Sequence, residues 1–195
     1  MRADAKKNYE HILAVANVVV TEQGAEASLR DIARRAEVGL GTLYRHFPTR
    51  EALLEALLRT SFDEFTAIAR ELETASSPDV ALVSWLRDVV AFTGNYQGVV
   101  AVMMAAMDDT ESALHASCVA VRTAGTKLLT RAQAEGLART DMDGDDLFSL
   151  AAALAWLGDQ PSSAPRAEHH FNIIASAILK TRASSDFQGT VATIE

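Results

Sequence analysis

The chain has a single cysteine, Cys118, so no disulfide can close within it, and nothing in its cysteine use points to an oxidising compartment. Proline (4) and glycine (10) are scarce for 195 residues, which leaves few breakers of helix. Long apolar runs are missing as well. The longest, Val99 to Met107, falls far short of the roughly 20 residues that span a bilayer, so no membrane partner is expected. The first residues are charged and then amphipathic, without the apolar block and small-residue cleavage site of a signal peptide. Strand-like alternation never lasts more than a few residues, and there is no internal repeat or low-complexity segment. These absences exclude a membrane protein, a disulfide scaffold and a β-rich fold, and the expected location is the cytoplasm.

What remains is material for helices. Hydrophobic residues make up 49% of the chain, enough for a sizeable core, and the plentiful Ala, Leu, Glu and Arg lose little side-chain freedom in a helix. The net charge of −8 argues against a nucleic-acid partner until it is divided along the chain. Residues 1–50 hold eight Lys/Arg (Arg2, Lys6, Lys7, Arg30, Arg34, Arg35, Arg45, Arg50) against six Asp/Glu, whereas residues 51–195 hold ten against twenty. Phosphate attraction falls off over about 10 Å at moderate salt, so a mildly basic head can bind DNA beneath an acidic body.

Apolar periodicity orders the chain. Ile12, Leu13, Ala16, Val19 and Val20 form one face of a helix ended by Gly24. Ser28 is placed as the N-cap of a second helix, with Asp31 three positions on completing a capping box, and that helix buries Leu29, Ile32, Ala33 and Ala36. A tight break at Glu37-Val38-Gly39 leads to a third short helix, about Leu40 to His46, stopped by Pro48 and Thr49. A long helix then begins near Thr49 with Glu51 in its first turn. Its stripe runs through Leu53, Leu54, Leu57, Leu58, Phe62, Phe65, Ile68, Ala69 and Leu72, and it connects head to body. Further helices are expected over roughly 79–94, 97–107, 111–136, 144–158 and 167–182, with a flexible tail over 183–195.

Two short helices joined by a tight turn and preceded by a third make a helix-turn-helix head, whose last helix enters the major groove of DNA. In Gly39-Leu-Gly-Thr-Leu-Tyr-Arg-His-Phe47, Leu43 and Phe47 stand four apart and face inward. Leu40, Thr42, Tyr44, Arg45 and His46 are turned outward or sideways, and Gly41 allows close approach of another backbone. Arg45 suits a guanine or a phosphate, Thr42 a thymine methyl, and Tyr44 and His46 phosphate oxygens.

The run Ile32 to Leu54, with Gly-Thr-Leu-Tyr-Arg-His-Phe at its centre, closely resembles the helix-turn-helix signature of the tetracycline-repressor (TetR) family of transcriptional regulators. The resemblance implies an all-α protein: a three-helix DNA-binding head (1–50), a long connector helix, and a helical effector-binding and dimerisation body (51–182). It implies that Leu40, Gly41, Thr42, Tyr44, Arg45 and His46 line the DNA face. By the same likeness Ser28 and Leu29 approach the DNA backbone, and Arg50 stands where the family usually has a phosphate-binding lysine. Two positions depart from the pattern: Glu37 where the family often has glycine in the turn, and Gly39 where it often has a serine cap.

By the same resemblance the last two long helices pair with their copies in a homodimer that reads a palindromic operator in double-stranded DNA. The apolar stripes assigned to that interface are Leu147, Leu150, Ala151 and Leu154 on one helix and Phe171, Ile174 and Ile178 on the other. Phe62, Trp85, Phe92, Met103, Met107, Cys118 and Arg122 are the candidate lining of a pocket for an unknown small-molecule effector, methionines being adaptable to varied shapes. Trp156 is a further candidate, and His115, Arg122 and Arg87 are the polar groups available as anchors. The simpler account of each of these side chains is ordinary core or a paired surface charge. The segment from Trp85 to Gly136 also resembles a C-terminal domain type common in actinobacterial members.

No enzyme is written in the chain. His115 and Cys118 stand i, i+3, but two ligands do not close a zinc site. Asp141-x-Asp143-Gly144-Asp145-Asp146 has its glycine at the fourth position of a calcium loop instead of the sixth, and Ala152 at the twelfth; a turn and helix cap explain it better. Gly39-x-Gly41 follows no strand and lacks a third glycine, so it is no dinucleotide fingerprint. No catalytic residues, metal or cofactor are expected. The expected protein is a ligand-released repressor; the alternatives are a regulator of the same fold without an effector and, further off, an enzyme.

Overall fold

A computed structural model of the chain describes residues 2–24, 26–94, 109–112 and 114–180. These form eight α-helices: α1 (Arg2–Gln23), α2 (Leu29–Arg35), α3 (Leu40–His46), α4 (Arg50–Leu72), α5 (Pro78–Gly94), α6 (His115–Ala134), α7 (Gly144–Asp159) and α8 (Ala167–Ile178), with one 3-10 turn at Ala164–Arg166. The expected helix over 97–107, with Met103 and Met107, and the expected tail over 183–195 lie outside the described residues.

In the head, α1 buries Ile12, Ala16, Val19 and Val20 against Ile32 and Ala33 of α2 and Leu43 of α3. Gly24 closes α1 at a φ of 77°, its N–H donating to the Val20 carbonyl at 2.7 Å. The connector helix begins where expected, and Thr49 caps it, its hydroxyl accepting from the Ala52 N–H at 3.1 Å. The capping box expected at α2 is absent. Ser28 occupies the N-cap position with extended backbone, yet its side chain makes no cap bond. Asp31 is instead committed to Gln23 (3.1 Å), Arg34 (2.5 Å) and Arg35 (3.0 Å), and charge-assisted bonds outcompete a reach back to a backbone N–H.

The connector α4 packs against α1 at its start and lies along α6 further on. Around it, the body core gathers Phe62 and Ala69 of α4, Leu82, Trp85 and Leu86 of α5, Cys118, Val121 and Leu128 of α6, and Leu147 of α7. Trp85 is fully buried, and its indole N–H donates to the Phe65 carbonyl at 2.9 Å. Gly125 of α6 gives the ring its place: a Cβ there would meet two ring carbons of Trp85 at 2.5 Å. At α7 the acidic run 143–146 is a complete capping box. The Asp143 carboxylate accepts from the N–H groups of Asp145 (2.9 Å) and Asp146 (3.0 Å), and Asp146 accepts from the Asp143 N–H at 3.1 Å.

Two helices are shorter than periodicity suggests. Residues 109–112 form a turn in which the Asp109 carboxylate accepts from the Glu111 N–H (3.0 Å), so α6 starts at His115. At the other end α8 stops at Ile178 because Leu179 pairs with Ala138 in an isolated antiparallel bridge. The bonds Arg139 N–H to Ile178 O and Lys180 N–H to Leu137 O, both 2.9 Å, hold it there.

Candidate nucleic-acid interface

The turn that presents α3 is built on Glu37, the one non-glycine with positive φ among the described residues, at 53°. The Val38 N–H donates to Ala33 O at 3.0 Å and the Glu37 N–H to Arg34 O at 3.2 Å, the paired bonds that terminate a helix through a left-handed residue. Val38 folds back onto the head core. Gly39 caps α3 with extended backbone and no side-chain bond.

Leu43 and Phe47 are the buried side chains of this turn-and-helix unit, as their spacing requires. Tyr9 of α1 packs its ring on Phe47, centroids 4.9 Å apart, and meets His46 edge-on at 6.1 Å; its hydroxyl lies 3.4 Å from the Arg59 guanidinium of α4. His11 of α1 lies 3.1 Å from the Ala36 carbonyl and so ties α1 to the end of α2. Neither residue stands out in the sequence, because their partners are 25 to 50 positions away.

The outward face of α3 carries Gly41, Tyr44 and Arg45 exposed and Thr42 and His46 half-buried. Nothing lies within 4 Å of the place where a Gly41 Cβ would stand. Leu40 is half-buried and packs on the head core, so it flanks this face instead of crowning it. Ser28 is exposed and Leu29 half-buried at the start of α2.

The head's cations divide into two groups. Arg34 and Arg35 are neutralised by Asp31 and Glu22, Arg35 meeting Glu22 at 2.7 Å. The hydrogen bond from Arg34, then that from Gln23, holds the Asp31 carboxyl below its usual range; the Glu22 bond raises the Arg35 guanidinium further. Arg50 is paired as well, with Glu26 at 2.5 Å, and its Nε is buried without a partner. Arg45 differs. It donates only to its own helix, to Thr42 Oγ1 at 3.0 Å and Gly41 O at 3.3 Å, and among the described residues no carboxylate neutralises it.

In the body, Phe62, Trp85, Phe92 and Cys118 come together as packed core. Phe92 meets Phe62 and Phe65 edge-on at 6.4 and 5.3 Å. Burial, opposed by the Arg122 charge, pushes the Cys118 thiol up to about 11, so it stays protonated at neutral pH. Arg122 does not join this group. It faces outward from α6, ion-paired to Asp145, on a surface hollow of about 580 Å³ with Thr123, Thr126 and Thr130. Arg87 is likewise used: it pairs with Glu168 at 2.5 Å, donates to Asn172 at 3.2 Å and covers the Phe171 ring at 4.2 Å, binding α5 to α8. Trp156 is not a pocket residue either, being 56% exposed on α7.

The stripes assigned to the dimer interface divide by burial. Leu147, Ala151, Leu154, Phe171 and Ile178 are buried within the protomer, and Leu150 and Ile174 are half-buried. Apolar periodicity marks the face a helix turns to its own core. The faces left open carry Ser149, Ala153 and Trp156 on α7 and Ile173, Ser176 and Ala177 on α8.

The described residues form an all-helical architecture with a helix-turn-helix exposed at one end of a long helix and a helical body along the rest of it. Comparison with known proteins gives the class its family. Residues 12–57 match a family described as bacterial regulatory proteins, tetR family, and residues 77–178 match the SbtR-like transcriptional regulator C-terminal domain. A TetR transcriptional regulator of Streptomyces coelicolor has a similar structure, with 32% identity and a TM-score of 0.65 over 89% of this chain and 99% of that one. One from Mycobacterium vanbaalenii has 30% identity and a TM-score of 0.62 over 92% and 99%. Curated HTH-type transcriptional regulators of Staphylococcus aureus are 34% identical over 74 residues, which is 37% of this chain and only 40% of their own length. The chain belongs to the TetR family of transcriptional regulators, DNA-binding proteins that act as homodimers. Among the described residues no helix is long and apolar enough to cross a membrane.

Proposed function

We propose that this regulator is a cytoplasmic repressor, released from a palindromic operator when a small molecule binds its body. The observation that carries the DNA-reading part is the outward face of α3. There Arg45, an arginine with no acidic partner among the described residues, stands beside exposed Tyr44 and the open backbone at Gly41. Thr42, Tyr44, Arg45 and His46 meet bases and phosphates in the major groove, and Ser28 and Leu29 approach the DNA backbone. Arg50 reaches a phosphate only by exchanging Glu26 for it. Two heads in a dimer grip successive major grooves about 34 Å apart.

Release works through α4, which is packed into the head by α1 and into the body by α6. Two hydroxyl–carboxylate bonds tie the start of the α6 region to that helix: Ser112 donates to Glu55 at 3.0 Å and Ser117 to Asp63 at 2.9 Å. An effector lodged near Phe62, Phe92 and Cys118 that shifts α6 therefore shifts α4 and changes the spacing of the heads. A coupling of about 1–3 kcal/mol changes operator occupancy 5- to 150-fold. The tight seat of Trp85 against Gly125 favours the second reading, a regulator with a filled body and no effector.

A gel-shift series on the DNA upstream of the protein's own gene tests the site. Tyr44→Ala and Arg45→Ala are each expected to weaken binding about tenfold or more, in line with roughly 1–3 kcal/mol per base-reading contact. Unchanged binding in both variants removes α3 as the reading element. A thermal-shift screen of small molecules, followed by gel shift with any that bind, separates the two readings of the body.

A further inference from the structure

We propose that Glu26 is an intramolecular competitor for DNA phosphate: by occupying Arg50 it weakens the grip on all duplex DNA without altering sequence preference. This rests on the reading that Arg50 meets a phosphate of the DNA backbone. Glu26 lies in the connection between α1 and α2, two residues before Ser28. Gly24 turns the chain out of α1 at a φ of 77°, the Ala27 N–H donates to the Gly24 carbonyl at 3.1 Å, and Ala27 is buried in the head core. Held between these two, Glu26 reaches Arg50, 24 positions on at the start of α4, and meets its guanidinium at 2.5 Å.

The pair is arranged to exchange. The Glu26 side chain is 89% exposed, and Arg50 is its one ion-pair partner among the described residues, so its carboxylate gives up little on turning back to water. Asp31 shows the opposite arrangement: its side chain is 20% exposed and is held by Gln23, Arg34 and Arg35 as a fixture of the head. The Arg50 guanidinium is incompletely used as well. Glu26 takes one terminal nitrogen, and the buried Nε has no partner. A phosphate can take two guanidinium nitrogens at once, so the arginine can gain a bond in the exchange.

Local charge makes the exchange necessary. Glu51 follows Arg50 at the same helix start, and its carboxyl is held below its usual range by its own backbone N–H and then by the Thr49 hydroxyl. It stays on the helix. Arg50 therefore stands against two carboxylates, a spot that repels a phosphate until Glu26 swings away and leaves a neutral pair. A phosphate contact carries no sequence information, so the cost of displacing Glu26 falls on every duplex alike. Exposed ion pairs of this kind shift an equilibrium about two- to fivefold, which sets the size of the brake.

A double-mutant cycle on the full-length protein tests this, read by fluorescence anisotropy across a salt series. The probes are the duplex upstream of the protein's own gene and a random-sequence duplex of equal length. Glu26→Gln should tighten binding to both duplexes by the same factor, about two- to fivefold. In an Arg50→Gln background, with unchanged circular dichroism, the same change should gain at most half that factor, because only general repulsion is then relieved. Arg50→Gln by itself should lower the log-affinity slope against log salt by about 0.9, and Arg50→Lys, which keeps the charge, should restore it. If Arg50→Gln leaves affinity and slope unchanged, the arginine meets no phosphate and the underlying reading falls, taking the brake with it. If the slope drops while Glu26→Gln gains nothing, or gains as much without Arg50 as with it, the brake alone is overturned. A gain confined to the operator duplex likewise overturns it.

Discussion

Between α2 and α3 the backbone passes through Glu37 at a φ of 53°, a region that costs a residue with a Cβ about 1–2 kcal/mol. Nothing in the side chain repays that cost locally, since Glu37 is exposed and makes no ion pair among the described residues. Glu37→Gly should therefore stabilise the protein by roughly 1 kcal/mol, the gain being trimmed by the greater freedom of glycine in the unfolded chain. Thermal unfolding checks it, and operator affinity should not change. The αL requirement was legible from the motif, because the family pattern puts glycine there. The commitments of the arginines were not. Arg34, Arg35, Arg45 and Arg50 look alike as letters, and only the positions of Glu22, Glu26 and Asp31 decide that Arg45 alone of these four keeps a guanidinium without an acidic partner.

Among elements, α5 and α6 cross where Trp85 lies on Gly125. The indole cannot swing aside, since its N–H is held by Phe65 O and Phe148 meets its ring edge-on at 6.0 Å. Gly125→Ala would place a Cβ 2.5 Å from the ring and 3.1 Å from Phe148. Overpacking of this kind costs about 1–3 kcal/mol. In urea titration the midpoint should fall while the slope stays the same, and an unchanged midpoint would show that the helices can part freely. Helix starts with a side-chain cap, at Thr49 and Asp143, were readable because cap and helix are neighbours in sequence. The start of α6 and the end of α8 were not. One is set by an aspartate turn at Asp109, the other by a bridge between Ala138 and Leu179, and the second of these joins residues 41 apart. The burial of Leu147, Ala151, Leu154, Phe171 and Ile178 within the protomer was hidden for a related reason. The strongest apolar stripe belongs to the protomer's own core, and what is left over is small, mixed and weakly periodic.

At the scale of the whole molecule, the proposed binding of DNA by an acidic protein requires that charge be segregated along the chain, and the 23-residue α4 provides the separation. At 1.5 Å per residue that helix sets the far end of the body roughly 35 Å from the head, several times the screening length of about 10 Å. Lys127, paired with Glu73 at 3.7 Å beyond the end of α4, is accordingly remote from any phosphate. Lys127→Glu should leave operator affinity and its salt dependence unchanged, whereas Arg45→Ala should reduce the log-affinity slope against log salt if the guanidinium meets a phosphate, by about 0.9. Fluorescence anisotropy across a salt series measures both, and a slope that follows total charge instead of head charge would contradict the segregation.

By itself the amino-acid sequence determined the helical class, the turn and third helix of the head, the connector and the cap of α7. All of these depend on residues within one or two helical turns of each other, where backbone preference and side-chain periodicity act directly. The tertiary structure alone decided that Trp85 and Cys118 are core, that Arg122 and Arg87 are spent on ion pairs, and that Trp156 and Ile173 are exposed. Burial and pairing depend on which distant segments come together, and no local spacing encodes that.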